Sequence, residues 1–252
     1  NISLLLQPQN DKMKKSIPNI ITSANLFSGC LSVVLAFNGQ LAEAGILILM
    51  AAFLDFFDGL SARLLNVASP IGKELDSLAD VVSFGFAPSV IVYQLLLRSS
   101  LEIPYLEFSA FLMTIFSAYR LAKFNLDERQ TSSFIGVPTP ANALFWLSIP
   151  LIAWQKETFN TVFAGQVLSL MTNTYFILIG ILVWSLLMVS EVPLFALKFK
   201  SLKWKENKLK FSFIAISVAL IASFYFIAVP IILILYIILS VINNSISKNH
   251  EI

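Results

Sequence analysis

One stretch of the chain, residues 211–242, contains 32 consecutive residues without a charged side chain. A straight helix of that length would measure nearly 50 Å, because each residue adds about 1.5 Å. The hydrocarbon core of a bilayer is only about 30 Å thick. Pro230 lies inside the run and favours a turn. The run therefore predicts two short or tilted membrane-crossing helices rather than one straight helix.

Composition extends this interpretation to the whole chain of 252 residues. Hydrophobic residues make up 57% and charged residues 13%, and the mean hydropathy is +0.80. Soluble domains carry about 25% charged residues, so this chain has half the usual supply for a polar surface. We therefore predict an all-α integral membrane protein with a bundle of about eight transmembrane helices, and six or seven remain alternatives. The expected spans lie near 17–38, 41–62, 77–97, 104–124, 137–155, 174–194, 211–227 and 229–246.

The chain is expected to form a single domain over residues 1–252. It comprises an N-terminal segment (1–16), a core (17–200) and C-terminal helices with a tail (201–252). The single cysteine, Cys30, excludes an internal disulfide and a cysteine-based zinc site. The single histidine, His250, lies near the end of the sequence, which disfavours histidine-centred catalysis. A net charge of +2 gives no reason to expect nucleic acid as a partner.

Basic residues predict the orientation of the bundle. With the N-terminus inside and alternate connections on opposite sides, fifteen of the 17 basic residues fall inside, and only Arg98 and Lys156 fall outside. Such an excess marks cytoplasmic segments. We therefore expect a multi-pass protein of the cytoplasmic (inner) membrane with both termini in the cytoplasm. The lysine-rich stretch 198–210 either contacts anionic head groups or only anchors this orientation.

Acidic residues provide the clearest sign of chemistry. Four of the six aspartates lie within 26 residues, at the inner end of the second expected span and the beginning of the third. On a helix, residues at i, i+3, i+4 and i+7 share one face, as do residues at i, i+4 and i+8. Both patterns occur, so two antiparallel helices should bring four carboxylates together at one membrane edge. The first stripe is Asp55, Asp58, Gly59 and Ala62, and the second is Gly72, Asp76 and Asp80.

Carboxylates gathered in this way would repel one another unless a cation neutralised them. Hard oxygen ligands select Mg²⁺, Mn²⁺ or Ca²⁺, and four carboxylates are enough for two ions. Paired ions bind phosphoryl groups during displacement reactions. The glycines would let a ligand approach the backbone, and Arg63 could bind a phosphate oxygen through its planar fork. The alternative, acids merely solvated at helix ends, explains one aspartate better than four on two matching stripes.

Residues 55–80 resemble the signature of the CDP-alcohol phosphotransferase family, D-x2-D-G-x2-A-R-x8-G-x3-D-x3-D, at every defining position. Over residues 17–200 the chain also looks like the membrane phosphatidylserine synthases of bacteria and archaea, although a basic residue would be expected where Glu191 stands. The runs that carry this resemblance are IPNIITSANLFSG (17–29), LDSLADVVSFGFAP (75–88), YRLAKFN (119–125), FIGVPTPA (134–141) and MVSEVP (188–193).

The resemblance implies that the protein transfers the phosphatidyl group of CDP-diacylglycerol to the hydroxyl of L-serine and releases CMP. It implies that two divalent ions, Mg²⁺ or Mn²⁺, are bound and that no organic cofactor is needed. By analogy it also implies a homodimer. It also implies that Asp80 is the general base. The implied metal ligands are Asp55, Asp58, Asp76 and Asp80, and the implied CDP-binding residues are Asp58, Gly59, Ala62, Arg63, Gly72 and Asp76.

Further candidates lie outside the signature. Thr22 and Asn25, one turn apart in the first span, either contact the cytidine or its phosphates or hydrogen-bond a neighbouring helix. Arg120 and Lys123, at the inner end of the fourth span, either hold the serine carboxylate or lipid phosphate or anchor the helix. The same alternatives apply to Asn125.

Three other functions are weighed against this one. A related transferase could use glycerol 3-phosphate, inositol phosphate or another alcohol, and should need more cationic residues. A membrane prenyltransferase would show a second, distant aspartate-rich motif, whereas Asp127 stands alone after Asp80. A cation transporter would carry its carboxylates near the membrane midplane within repeats, and these acids lie at one edge.

Overall fold

The computed structural model describes residues 3–67, 69–99, 101, 103–127, 134–159, 162–195 and 204–249. Arg129 and the first half of the lysine-rich stretch, 198–203, lie outside the described residues. The elements in chain order are α1 (Ser3–Phe37), α2 (Leu41–Leu64), α3 (Pro70–Asp80), a π-helical segment (Val81–Phe86), α4 (Ala87–Leu96), a 3₁₀ turn (Leu106–Phe111), α5 (Leu112–Leu126), β1 (Phe134–Ile135), α6 (Thr139–Phe159), α7 (Val162–Met171), α8 (Thr174–Val189), β2 (Pro193–Leu194), α9 (Trp204–Phe224), a second 3₁₀ turn (Tyr225–Ile227) and α10 (Ala228–Asn249).

Several of these helices are long and apolar enough to cross a membrane. Four meet both criteria, and a fifth does if a pair bent by 68° counts as one span. The prediction of an all-α, multi-span protein is therefore confirmed, while the number eight stays a prediction. The four are Ser16–Phe37, Leu41–Leu64, Pro70–Leu96 and Asn207–Ser245, and the bent pair is Phe163–Met171 with Thr174–Val189.

The third span begins at Pro70, seven residues before its predicted start at 77. Ser69 caps the helix by accepting a hydrogen bond from the Gly72 backbone N–H at 2.9 Å, and a proline suits the first helical position. The π-helical segment follows Asp80 directly. Such segments are rare and often lie at functional sites.

The fourth of these candidate spans, Asn207–Ser245, turns back on itself. The rings of Phe213 and Tyr236 lie 5.7 Å apart, whereas about 23 residues of straight helix would separate them by roughly 34 Å. The reversal falls at the second 3₁₀ turn, where Tyr225 has a φ of 52°. The uncharged run thus forms two helices, as predicted, and that each of them crosses the membrane stays a prediction. The break lies a few residues before Pro230, which sits in the first turn of α10.

A side chain of α6 holds this reversal in place. The Gln155 amide donates to the Phe224 carbonyl at 3.2 Å and accepts from the Phe226 N–H at 3.0 Å. Gln155 is buried. Backbone groups freed at a helix break need such partners because lipid offers none.

The loops that connect the helices lie at two opposite ends of the bundle. At one end, here called the Arg98 end, the α1–α2 turn, the end of α4 and the end of α6 surround one cavity, lined among others by Gly39, Arg98 and Glu157. The side chain of Lys156 contacts α7 at this end. The aspartate end lies opposite, because α2 begins at Leu41 beside this cavity and runs for 24 residues to Leu64.

A small sheet closes the aspartate end near α8. β1 and β2 pair antiparallel, with Phe134 opposite Leu194 and Ile135 opposite Pro193. The chain then crosses the end of α8 at Gly136, which has a φ of 73°. A Cβ at Gly136 would lie 2.5 Å from the Met188 carbonyl oxygen, so only glycine fits this crossing.

Candidate active site

The two predicted stripes meet at the aspartate end. Carboxylate oxygens of Asp55, Asp76 and Asp80 all lie within 4.8 Å of one another. Asp55 comes from α2 and the other two come from α3, so a connection of a few residues brings the helices together. Asp80 is buried, and the other two are half-buried. Asp58 is not part of this close group.

Asp58 instead lies in a neighbouring cavity between the first three helices. Its Oδ2 accepts a hydrogen bond from Thr22 Oγ1 at 2.7 Å, which joins α2 to α1. The cavity, here called the α1–α3 cavity, has a volume of about 260 Å³. Its lining residues are Pro18, Asn19, Thr22, Asp58, Gly59, Ala62, Val67, Ser69, Gly72, Lys73 and Asp76.

The small residues of the signature form walls of this cavity. A Cβ at Gly59 would meet no atom within 4 Å, so the backbone there faces open space. At Gly72 a Cβ would lie 3.0 Å from Asn19 Oδ1, so α3 approaches α1 closely. Arg63 does not line the cavity. Its Nε donates to the Gly59 carbonyl at 2.9 Å, and its side chain is exposed.

Three polar residues of the cavity lie outside the predicted site. Asn19 lies one turn before Thr22 on α1, and that i, i+3 spacing could have indicated it. Ser69 was missed because its capping role depends on the earlier start of α3. Lys73 was counted only as a topology residue, yet it lines the cavity and donates to the Asn125 carbonyl at 3.1 Å.

Arg120 lies on the other side of the aspartates. Its side chain is buried, its Nε has no hydrogen-bond partner, and its guanidinium lies 5.7 Å from the centre of the Phe124 ring. It is close enough to Asp80 for electrostatic attraction. Arg120 lines a small cleft, here called the Arg120 cleft. The other lining residues are Lys123, Phe124, Ile135, Met188, Val189 and Ser190.

Lys123 and Asn125 are engaged by protein groups. Lys123 forms an ion pair with Glu191 at 2.5 Å. The acid that stands where a basic residue was expected therefore neutralises a predicted substrate ligand. The Asn125 amide donates to Ser77 Oγ at 2.9 Å, which ties the end of α5 to α3. For Asn125 the contact matches the predicted alternative of a helix anchor.

Asn25 is fully buried and does not line the α1–α3 cavity. Neither of its amide atoms has a hydrogen-bond partner, while its backbone carbonyl accepts from Ser83 Oγ at 3.1 Å. Thr22, by contrast, lines the cavity and donates to Asp58, which matches the predicted bond to a neighbouring helix, while its contact with the cytidine or its phosphates stays a prediction.

The donor set fits a divalent cation. One oxygen of Asp76 and one of Asp80 are buried without a hydrogen-bond partner. Buried carboxylate oxygens are costly unless a proton donor or a metal meets them. Three clustered carboxylates provide only hard oxygen donors, as Mg²⁺ and Mn²⁺ prefer.

Residues 15–173 match the family described as CDP-alcohol phosphatidyltransferase. The chain belongs to the CDP-alcohol phosphatidyltransferase family. The matched residues contain both aspartate stripes, the α1–α3 cavity and Arg120, and members of this family generally use a divalent metal. They end before α8, which supplies Met188 and Val189 of the Arg120 cleft.

Several named members of this family are similar to the chain in sequence. A CDP-diacylglycerol–serine O-phosphatidyltransferase of Bacillus subtilis (strain 168) is 34% identical over 70% of this chain and 88% of its own length. A protein of that name from Helicobacter pylori (strain J99) is 43% identical over 50% of this chain and 54% of its own length. An archaetidylserine synthase of Methanothermobacter thermautotrophicus is 32% identical over 59% and 64%, respectively.

Proposed function

We propose that this protein transfers the phosphatidyl group of CDP-diacylglycerol to the hydroxyl of L-serine and releases CMP. The observation that carries the proposal is the convergence of Asp55, Asp76 and Asp80 beside the α1–α3 cavity in a chain of this family. The printed names of the relatives, which are serine transferases, support serine as the acceptor.

The CDP group of the donor occupies the α1–α3 cavity. The open space at Gly59 and the volume of the cavity support this assignment. Arg63 would reach a phosphate by exchanging its hydrogen bond to the Gly59 carbonyl for one to the ligand. The predicted CDP ligands are Asp58, Gly59, Ala62, Arg63, Gly72 and Asp76.

The four aspartates Asp55, Asp58, Asp76 and Asp80 hold Mg²⁺ or Mn²⁺, two ions in all. The metal, when bound, supplies positive charge that neutralises the carboxylates and the diphosphate. The orphaned oxygens of Asp76 and Asp80 support this ligand set. Asp58, outside the close group, would serve a second ion nearer the cavity.

Asp80 is the general base. It takes the proton from the serine hydroxyl as the oxygen forms a bond to phosphorus and the bond from phosphorus to CMP breaks. The neighbourhood of Asp80 and Arg120 supports an acceptor held between them, with the guanidinium on the serine carboxylate. Because both Asp80 and Arg120 are buried, this charge pairing would be worth more than in water.

The alternative acceptors are glycerol 3-phosphate, inositol phosphate and other alcohols. A phosphorylated acceptor carries more negative charge than serine and needs more cations. In the Arg120 cleft the charge of Lys123 is offset by Glu191, which favours a carboxylate over a phosphate.

The test is CMP release from CDP-diacylglycerol by the purified protein in lipid vesicles, with each alcohol supplied separately. We expect release with L-serine and formation of a lipid that contains serine. Release with another alcohol and none with serine would overturn the acceptor. No release with any alcohol, in Mg²⁺ or Mn²⁺, would overturn the proposed activity.

We also propose eight membrane crossings, with both termini and the aspartates on the cytoplasmic side of the inner membrane, and a homodimer by analogy. The gathering of Arg98 and Lys156 at one end supports this topology. In a Cys30→Ser background, a membrane-impermeant maleimide should label Lys156→Cys but not Asn66→Cys in intact spheroplasts. The reverse pattern would contradict it, and mass photometry in nanodiscs tests the dimer.

A further inference from the structure

Three polar side chains of α10 form a stripe on one face of that helix. Tyr236, Ser240 and Asn244 are spaced four residues apart, so they lie on the same face of the helix in successive turns. They are here called the α10 polar stripe. From Ala228 to Ile242 every other residue of α10 is apolar, so the polar groups of Tyr236 and Ser240 need partners there.

All three contact one short segment of backbone. The Tyr236 hydroxyl donates to the Phe195 carbonyl at 2.8 Å, and Ser240 Oγ accepts from the Phe195 N–H at 3.4 Å. The Asn244 amide donates to the Pro193 carbonyl. Ser240 is fully buried, so these bonds are shielded from water.

The segment so held, residues 193–195, closely follows the residues of α8 and its end that line the Arg120 cleft, Met188, Val189 and Ser190. β2 pairs with β1, and just before it the Val192 carbonyl accepts from the Gly136 N–H at 2.9 Å. The two strands have only two residues each, and a two-stranded sheet that short is not stable without other contacts. Glu191, which meets Lys123, directly precedes this anchored stretch.

We propose that the α10 polar stripe positions residues 188–194 against α5 and so shapes the acceptor site around Arg120. Its members are positioning residues, because they act through the held segment. The C-terminal helices, which lie outside residues 15–173 of the family match, thereby become part of the acceptor-binding machinery. This inference rests on the proposed function.

The location of the stripe predicts which kinetic constant it controls. Residues 188–190 line the Arg120 cleft, and none of residues 188–194 lines the α1–α3 cavity. Displacing them should weaken acceptor binding and leave donor binding unchanged. A role limited to folding would instead lower the amount of active protein and its melting temperature, with both KM values unchanged.

The test uses the full chain in nanodiscs with the double variant Tyr236→Phe plus Ser240→Ala. Phenylalanine keeps the ring contacts of Tyr236 with Phe195 and Phe213. We expect the KM for L-serine to rise about tenfold, the effect of losing two hydrogen bonds of ordinary strength. The KM for CDP-diacylglycerol and kcat should stay within about twofold of wild type.

Ser245→Ala is the matched control. Ser245 donates to the Val241 carbonyl at 3.0 Å, just as Ser240 donates to the Tyr236 carbonyl at 2.7 Å, but no bond from Ser245 to residues 193–195 occurs among the described contacts. This variant should match wild type in all three constants.

An unchanged serine KM in the double variant would overturn the inference, as would equal rises in both KM values. So would a fall in kcat and melting temperature with both KM values unchanged. If wild type accepts a different alcohol instead of serine, the proposed acceptor fails, and the same measurement with that alcohol decides the inference separately.

Discussion

The α1–α3 cavity and the Arg120 cleft both lie near the aspartate cluster, but they are built differently. The cavity contains Asp76 of that cluster, and Arg120 of the cleft attracts Asp80. The first three helices and the connection between α2 and α3 line the cavity. The cleft combines α5, β1 and the end of α8, and α10 hydrogen-bonds the segment that follows its wall. The proposed donor side is thus built from consecutive elements, whereas the proposed acceptor side depends on contacts between distant parts of the chain.

This difference suggests how members of one family could share a donor and differ in acceptor. The aspartates and glycines of the cavity follow one fixed spacing over residues 55–80. The cleft has no such constraint, because its residues come from separate elements. Substitutions in the two regions should therefore affect different kinetic constants.

The largest effect should come from Asp80, which clusters with Asp76 of the cavity and attracts Arg120 of the cleft. Asp80→Asn should lower kcat by about 10²–10⁴-fold, the usual contribution of a general base, and leave much of the binding of CDP-diacylglycerol. Single-turnover CMP release and binding of labelled donor measure the two quantities. Glu74→Gln, an exposed acid on the same helix, is the control. Equal loss of binding and turnover would contradict the base role.

Arg120→Gln should act on the acceptor side alone. Loss of a charged hydrogen-bonding partner weakens binding by about 10–100-fold, so the KM for L-serine should rise by that amount while the KM for CDP-diacylglycerol changes little. Initial-rate kinetics with each substrate varied in turn provide the comparison. A similar rise in both KM values would show that Arg120 does not distinguish the two sides.

Gly59→Leu should act on the donor side alone. No atom lies within 4 Å of an added Cβ, so the helix can accept the substitution, and the larger side chain would fill part of the α1–α3 cavity. The KM for CDP-diacylglycerol should rise about tenfold, as expected for steric crowding of a binding site. Gly59→Ala is the graded control and should have a smaller effect. A change confined to the serine KM would reverse the assignment.

The smallest effect is expected at the ion pair of Lys123 and Glu191. Both side chains are at least a third exposed, and such pairs contribute less than about 1 kcal/mol to folding. Lys123→Gln and Glu191→Gln should therefore alter the free energy of unfolding, measured with denaturant, by less than that amount. A serine KM for Lys123→Gln as high as that for Arg120→Gln would instead make Lys123 a substrate ligand.

The sequence predicted the donor side well because the relevant signal is short-range. Helical spacing and the short connection between two spans predicted that four aspartates meet, and the structure brings Asp55, Asp76 and Asp80 together while Asp58 lies in the neighbouring cavity. The same reasoning did not find Asn19, although it lies one turn from Thr22. Alternation of the basic residues likewise put Arg98 and Lys156 at one end.

The acceptor side could be predicted only in part. Arg120 was identified from its place at the end of a span, but the wall opposite was not. Tyr236 and Phe195 lie 41 residues apart in sequence and are linked by a hydrogen bond, which the residue pattern of neither segment could predict. Glu191 was noted as an unexpected acid, and its pairing with Lys123 required the fold.

The reversal at Tyr225 has a consequence for how the protein enters the membrane. Residues 211–242 carry no charge, so the tip of the α9–α10 hairpin can cross the lipid without moving a charged group through it. Lys208 and Lys210 in the first part of α9 and Lys248 near the end of α10 flank this uncharged run, so cationic residues lie at the base of both helices. At the tip, the buried side chain of Gln155 satisfies the backbone groups that the reversal frees.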